Sequence, residues 1–129
     1  MGEMRVMGRG GDSKVMWNPD NKEETAELLL EHLSETQREE WAAERAFTVH
    51  TADGKRAYKI AYGLADNVHL VKADEPPVSK HGRPLAVGAR FCMHVYHPEG
   101  QVPHEDNMLA QKLLLESDER EFLALANVS

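Results

Sequence analysis

The sequence predicts a single α+β domain, an antiparallel sheet of about four or five strands packed by an N-terminal helical segment and a long C-terminal helix. Three observations lead there. Stretches with apolar residues at helical spacing lie towards both ends of the 129-residue chain, and both are acidic. Between them, Ala46 to His104 reads as short β-type runs separated by turn signals. That middle stretch also holds six of the seven histidines, His50, His69, His81, His94, His97 and His104.

A chain of 129 residues is the size of one domain and buries a core without disulfides or metal. Hydrophobic residues make up 41% and charged residues 29%, the balance of a globular protein rather than a disordered one. The one cysteine, Cys92, excludes an internal disulfide framework and fits a reducing cytoplasm. No apolar run approaches the ~18 residues of a membrane span. Met1-Gly2-Glu3-Met4-Arg5 has no signal-peptide core, so a cytoplasmic location is expected.

The net charge of −7 is unevenly spread. Residues 1–17 sum to +1, residues 18–45 to −6, residues 46–104 to +2 and residues 105–129 to −4. Acidic surfaces repel a phosphate backbone, so general nucleic-acid binding is disfavoured. A local anion contact on the mildly basic sheet region stays open.

Residues 1–13, with Gly8, Gly10 and Gly11, read as a flexible leading segment. Lys14-Val15-Met16-Trp17 has strand character. Asn18-Pro19-Asp20 then stops it and starts a helix, with Asn18 as cap and Pro19 at the first helical position. Ala26, Leu29, Leu30 and Leu33 form one apolar face of a helix over about Pro19 to Leu33. Ser34-Glu35-Thr36-Gln37 has capping-box form, so a helix-rich segment with a kink near Ser34 is expected to run on to Arg45.

Phe47 to Thr51 is a β-type run, Asp53-Gly54 a hairpin turn signal, and Arg56 to Tyr62 the partner strand. Asp66-Asn67 is a second turn before Val68-His69-Leu70-Val71. Asp74 to Pro84 reads as the most mobile internal loop. Arg90 to Tyr96 is another strand, and the last helix is expected over about Glu105 to Ala126. Met108, Leu115, Phe122 and Ala126 share its apolar face, while the polar run Ser117 to Glu121 predicts a solvated or broken middle.

The residues nearest to site chemistry are Cys92, His94, His97 and His104. Cysteine and histidine suit zinc, and Cys92 and His94 share one face of a strand while His97 lies in the following turn. No paired C-x-x-C or H-x-x-x-H unit backs the pattern, so a core cysteine with turn histidines is the plainer reading. Cys92 as a nucleophile would need a base such as His94, and nothing completes a triad. Glycines 8–11 lack the order of a phosphate loop. The glutamate pairs four apart, such as Glu23/Glu27 and Glu35/Glu39, read as a solvated helix side, with mutual repulsion that hints at a basic surface opposite.

Arg56, Lys59, Arg83 and Arg90 supply such a basic surface and are the interface candidates. Trp41 joins them, either as the buried position of its helical turn or as an exposed contact residue.

Gly11-Asp12-x-Lys14-x-x-Trp17-x-x-Asp20-Asn21, a helix, Ala46-Phe47-x-Val49 and a turn at Gly54 resemble a family of small uncharacterised prophage and mobile-element proteins. The likeness covers roughly the first 70 residues. It implies a phage or mobile-element origin in a bacterial cytoplasm and carries over no functional residue. The half containing Cys92 and the final helix departs from that family's pattern.

The resulting expectation is a non-catalytic protein-interaction module, an accessory subunit of a homo-oligomer or larger assembly, with no catalytic residue assigned. The first alternative is a zinc-binding protein using Cys92, His94, His97 and His104. The second binds a small anion or a nucleic-acid end at the basic sheet.

Overall fold

The computed structural model describes residues 22–63, 66–94, 96–97 and 100–128. The expected strand at Lys14–Trp17, its stop at Asn18-Pro19 and the glycine-rich start lie outside the described residues. The order is α1 (Lys22–Glu31), α2 (Glu35–Glu44), β1 (Ala46–His50), β2 (Arg56–Ala61), β3 (Val68–Ala73), β4 (Arg90–Cys92), β5 (Tyr96–His97), β6 (Gly100–Gln101), α3 (His104–Ser117), α4 (Glu119–Leu125) and β7 (Asn127–Val128). Strands β1-β2-β3-β4-β7 form one antiparallel sheet in that order, and β5-β6 form a separate ribbon. The fold is α+β.

The helical segment breaks where its caps dictate. Ser34 accepts the Gln37 N–H at 3.2 Å, and the Gln37 side chain accepts the Ser34 N–H at 2.9 Å, which closes α1 off and starts α2. Arg45 then takes a left-handed conformation, φ 56°, and turns the chain into β1.

Helix α2 guards the edge of the sheet. Thr48 lies on edge strand β1, with its main-chain groups pointing away from β2. Glu40 accepts the Thr48 N–H and hydroxyl, both at 2.9 Å, and the Gln37 amide donates to the Thr48 carbonyl at 2.8 Å. Two side chains three apart on one helix face thus stand in for a neighbouring strand, which blunts the edge against pairing with another chain.

The core lies on one face of the sheet. Phe47 and Val49 oppose Ile60 and Tyr58, which oppose Val68 and Leu70, and Val68 opposes Phe91; all are buried. From the helices come Leu29, Met108, Leu115 and Phe122. Each such side chain contributes about 1.5–3 kcal/mol by burial. Tyr58, Phe91 and Phe122 form a triangle of tilted or edge-on rings with centroids 5.7–6.0 Å apart.

Three expectations are corrected, and a fourth, the broken middle of the last helix, is met. Strand β4 ends at Cys92 rather than Tyr96. The Met93 carbonyl accepts from buried Asn107 and Gln111 at 2.9 and 2.8 Å, so helix amides take the place of a strand partner. The last helix is two helices, broken at Asp118 inside the polar run; the Asp118 carboxylate accepts the Glu121 N–H at 3.1 Å and starts α4. The chain after Leu125 extends through Ala126 into β7 and adds a fifth strand beside β4. The 74–84 stretch carries its own ladder: Leu85 N–H to Pro77 O and Ser79 N–H to Arg83 O, both 2.8 Å, flank a Val78–Pro84 bridge, and Gly82 turns the tip with φ 83°.

Replacing Glu40 with alanine leaves the Thr48 N–H and hydroxyl without their partner. We expect a loss of about 1–3 kcal/mol in urea unfolding, against a change within about 0.5 kcal/mol for the exposed neighbour Glu39→Ala.

Candidate functional site

The opposite face of the sheet has no helix packed on it among the described residues; α3 crosses β1 and β2 on the core face, and α2 lies along the β1 edge. One row across the open face runs Thr48, Lys59, His69, Arg90, and a second runs His50, Ala57, Lys72. Val71 is the extra residue of a β-bulge opposite Ala57 and turns outward, 43% exposed. His50, Lys72 and Arg90 are exposed. Lys59 reaches back to Glu44 of α2 at 2.6 Å.

The interface candidates separate. Trp41 is core, 6% exposed, packed between Phe47 and Tyr62 at 6.2 and 6.3 Å with the Arg45 guanidinium 5.1 Å over its ring. The left-handed turn at Arg45 folds β1 back onto that indole, which overturns the exposed-contact reading. Arg56 is committed inside the chain. Its Nε and Nη2 grip the Glu119 carboxylate at 2.6 and 2.5 Å, and Nη1 donates to the Glu75 carbonyl at 2.9 Å. Glu119 also accepts the Tyr58 hydroxyl at 2.5 Å. Glu119 holds the Arg56 proton more firmly than usual, and burial, then the Glu119 bond, pushes the Tyr58 phenol well above its ordinary range. Lys59 and Arg90 belong to the open face, and Arg83 sits on the hairpin beyond its edge.

The zinc candidates divide too. Cys92 Sγ and His94 Nε2 meet at 2.7 Å on the open-face side of β4. Two ligands of one tetrahedral zinc ion stand about 3.5 Å apart, given bonds of about 2.0–2.3 Å, so these two atoms touch each other more closely than they would around a shared ion. His104 lies at the start of α3, edge-on to Tyr62 at 4.8 Å, with its Nδ1 buried and unpaired. His97 lies in β5, where the backbone alone is described. Among the described residues, no three His, Cys, Asp or Glu side chains are grouped to hold a metal.

The region the sequence left as a mobile loop forms one wall of a polar hollow. The buried Ser79 hydroxyl accepts the main-chain N–H of His81 and Arg83 at 3.3 and 3.2 Å and locks the tip of the 77–85 hairpin. Lys80 reaches from that tip to Asn127 of β7, Nζ to Oδ1 at 2.7 Å. Between tip and strand lies a hollow of about 310 Å³ lined by Ser79, Lys80, His81, Arg83, Asn127 and Val128. On the α4 side, a second hollow of about 450 Å³ has the Arg56–Glu119 pair in its wall, with Pro77, Val78 and Leu123 as apolar lining and Arg120 beside Glu119. Asn127 was not legible as a site residue because it stands just past the expected end of the last helix, with no sign that the chain goes on to pair with β4; the signal for the tip was the run Lys80-His81-Gly82-Arg83.

No family model matches the chain, and no curated protein or solved structure matches it. No helix among the described residues is long and apolar enough to cross a membrane.

Asp106, in the first turn of α3, has its carboxyl raised from 3.8 to about 6, first by burial and then by neighbouring Glu105. Between those values the folded chain keeps a proton the unfolded chain has lost, so this group's contribution to stability falls as pH rises from about 4 to 6 and is level above. Asp106→Asn should therefore gain about 2 kcal/mol on the parent between pH 4 and pH 7, allowing for solvent screening. Urea unfolding at the two pH values checks it, and a gap that does not change with pH contradicts it.

Proposed function

We propose that the chain is a non-catalytic protein-interaction module, an accessory subunit of a homo-oligomer or larger bacterial or phage assembly, and that it docks an acidic surface on the open face of its sheet. The observation that carries this reading is the one-sided covering of the sheet. The helices bury one face, and the other presents His50, Lys59, His69, Lys72 and Arg90 around exposed Val71. The chain carries its own complement: Glu27, Glu31, Glu35, Glu39 and Glu44 are exposed on α1 and α2. A second copy is therefore the occupant the charges favour, in a head-to-tail contact that closes a ring or extends a filament. The likeness to mobile-element proteins supports the phage setting, and a cytoplasmic location belongs to the same proposal.

Sedimentation velocity tests it with Lys72→Glu and Arg90→Glu combined, since both residues are exposed and neither belongs to the core. The parent is expected to sediment as an oligomer that dissociates with added salt, and the folded double variant as a monomer. Identical sedimentation of both proteins sinks the reading.

A second reading rests on the contact of Cys92 with His94, which brings together two of the four zinc candidates. Zinc binding requires that pair to open and His97 or His104 to join. It predicts about one zinc per chain after chelator-free purification and a lower Tm after dialysis against a strong chelator. Metal-free protein with an unchanged Tm excludes it.

A further inference from the structure

We propose that the hollow between the hairpin tip and β7 binds the terminal phosphoryl group of a small phosphate ester. Most of the side chains that line it carry donors. Lys80, Arg83 and His81 surround it, and none of the six described residues that line it carries a side-chain carboxylate. Lys80 spends one ammonium hydrogen on Asn127 and keeps two. The Arg83 guanidinium makes no hydrogen bond or ion pair with the described residues, so its planar fork is available to grip two phosphoryl oxygens. With its oxygen engaged by two main-chain N–H groups, the Ser79 hydroxyl still has its own hydrogen to donate.

The cradle is also held in advance. Ser79 is 7% exposed and fixes the tip from within, the Val78–Pro84 bridge fixes its stem, and Lys80 is tied across to β7. A ligand arriving there orders little that is not ordered already, which is where much of the cost of binding otherwise lies. The volume, about 310 Å³, lies at the small end of ligand pockets. That size and the overall charge of −7 favour a compact phosphate group over a polyanion. A nucleic acid needs an extended basic track, and here the cations converge on one point. The site is independent of the assembly reading, which uses Lys72 and Arg90.

The probe is inorganic pyrophosphate, titrated into isotopically labelled full chain at constant ionic strength. Amide shifts at Ser79 to Arg83 and at Asn127 should saturate together. Lys80→Gln with Arg83→Gln should weaken the apparent affinity about tenfold or more, the scale of lost charge-assisted hydrogen bonds. Both residues are exposed at the tip, so the double variant keeps its fold, as the unchanged remainder of the spectrum verifies. Arg120→Gln, in the other hollow, should bind as the parent does. Non-saturating shifts equal to those produced by sodium chloride overturn the proposal, and so does undiminished binding by the double variant. Tighter binding of a single-stranded oligonucleotide than of pyrophosphate overturns the choice of ligand.

Discussion

The hydroxyl of Tyr58 sets the terms for much of this structure. Its ring is fully buried between Phe91 and Phe122, which places a phenolic oxygen where water cannot solvate it. Glu119 meets that need, but a carboxylate at 10% exposure has a need of its own, and the Arg56 fork answers it. Each group is tolerable because the next is present. Removing one member of such a buried pair costs about 3–5 kcal/mol, a large share of the roughly 5–15 kcal/mol that holds a domain together.

This clasp also builds the hollow at the sheet edge. By gripping Glu119, Arg56 positions α4, whose end delivers Asn127 and Val128 to β4. Through Nη1 the same arginine holds the Glu75 carbonyl, just before the hairpin begins. Both walls of the 310 Å³ hollow therefore trace back to one guanidinium. Asn127 faces two ways: its side chain receives Lys80, and its backbone is paired with Cys92, the neighbour of His94. The hollow, the Cys92–His94 contact and the end of the open face are thus parts of one edge of the sheet.

The sequence made the local stops legible and left the long-range partners hidden. Ser34 with Gln37 announced a helix break because a capping box is a four-residue device. The polar run around Asp118 announced a break because no face of it was apolar. Asp53-Gly54 announced its turn, where Gly54 has φ 72° and Asp53 sits below the usual carboxylate range as it accepts the Lys55 N–H and the Thr51 hydroxyl. By contrast, Arg90 to Tyr96 has the composition of a strand throughout, and only the amides of Asn107 and Gln111, more than a dozen residues on, decide that it stops at Cys92. Asn127-Val128 is too short to carry a period; Ala126 must first end the helix and β4 must already be in place. The site residues followed the same division: the cations could be named, but which were spent on Glu119 or Glu44 and which stayed available depended on tertiary contacts.

That division of the cations is where the fold bears most directly on function. Of the sheet's basic groups, Arg56 is spent on structure and Lys59 is half-spent on α2. What remains falls into two sets with different chemistry. Lys72, in only a loose 3.9 Å pair with exposed Asp74, and Arg90 are spread over a flat face with histidines and an exposed valine, where a broad acidic surface makes many weak contacts at once. Lys80 and Arg83 converge on one small hollow, where a compact oxyanion makes a few strong ones. A long-range negative field opposes approach to both sets. Salt screens that opposition, and it also screens the attraction of each set of cations for its own ligand. Added salt therefore weakens binding at both sites, more steeply at the broad face, where more charge pairs form at once, and that difference follows from the placement of four side chains on one sheet and its edge.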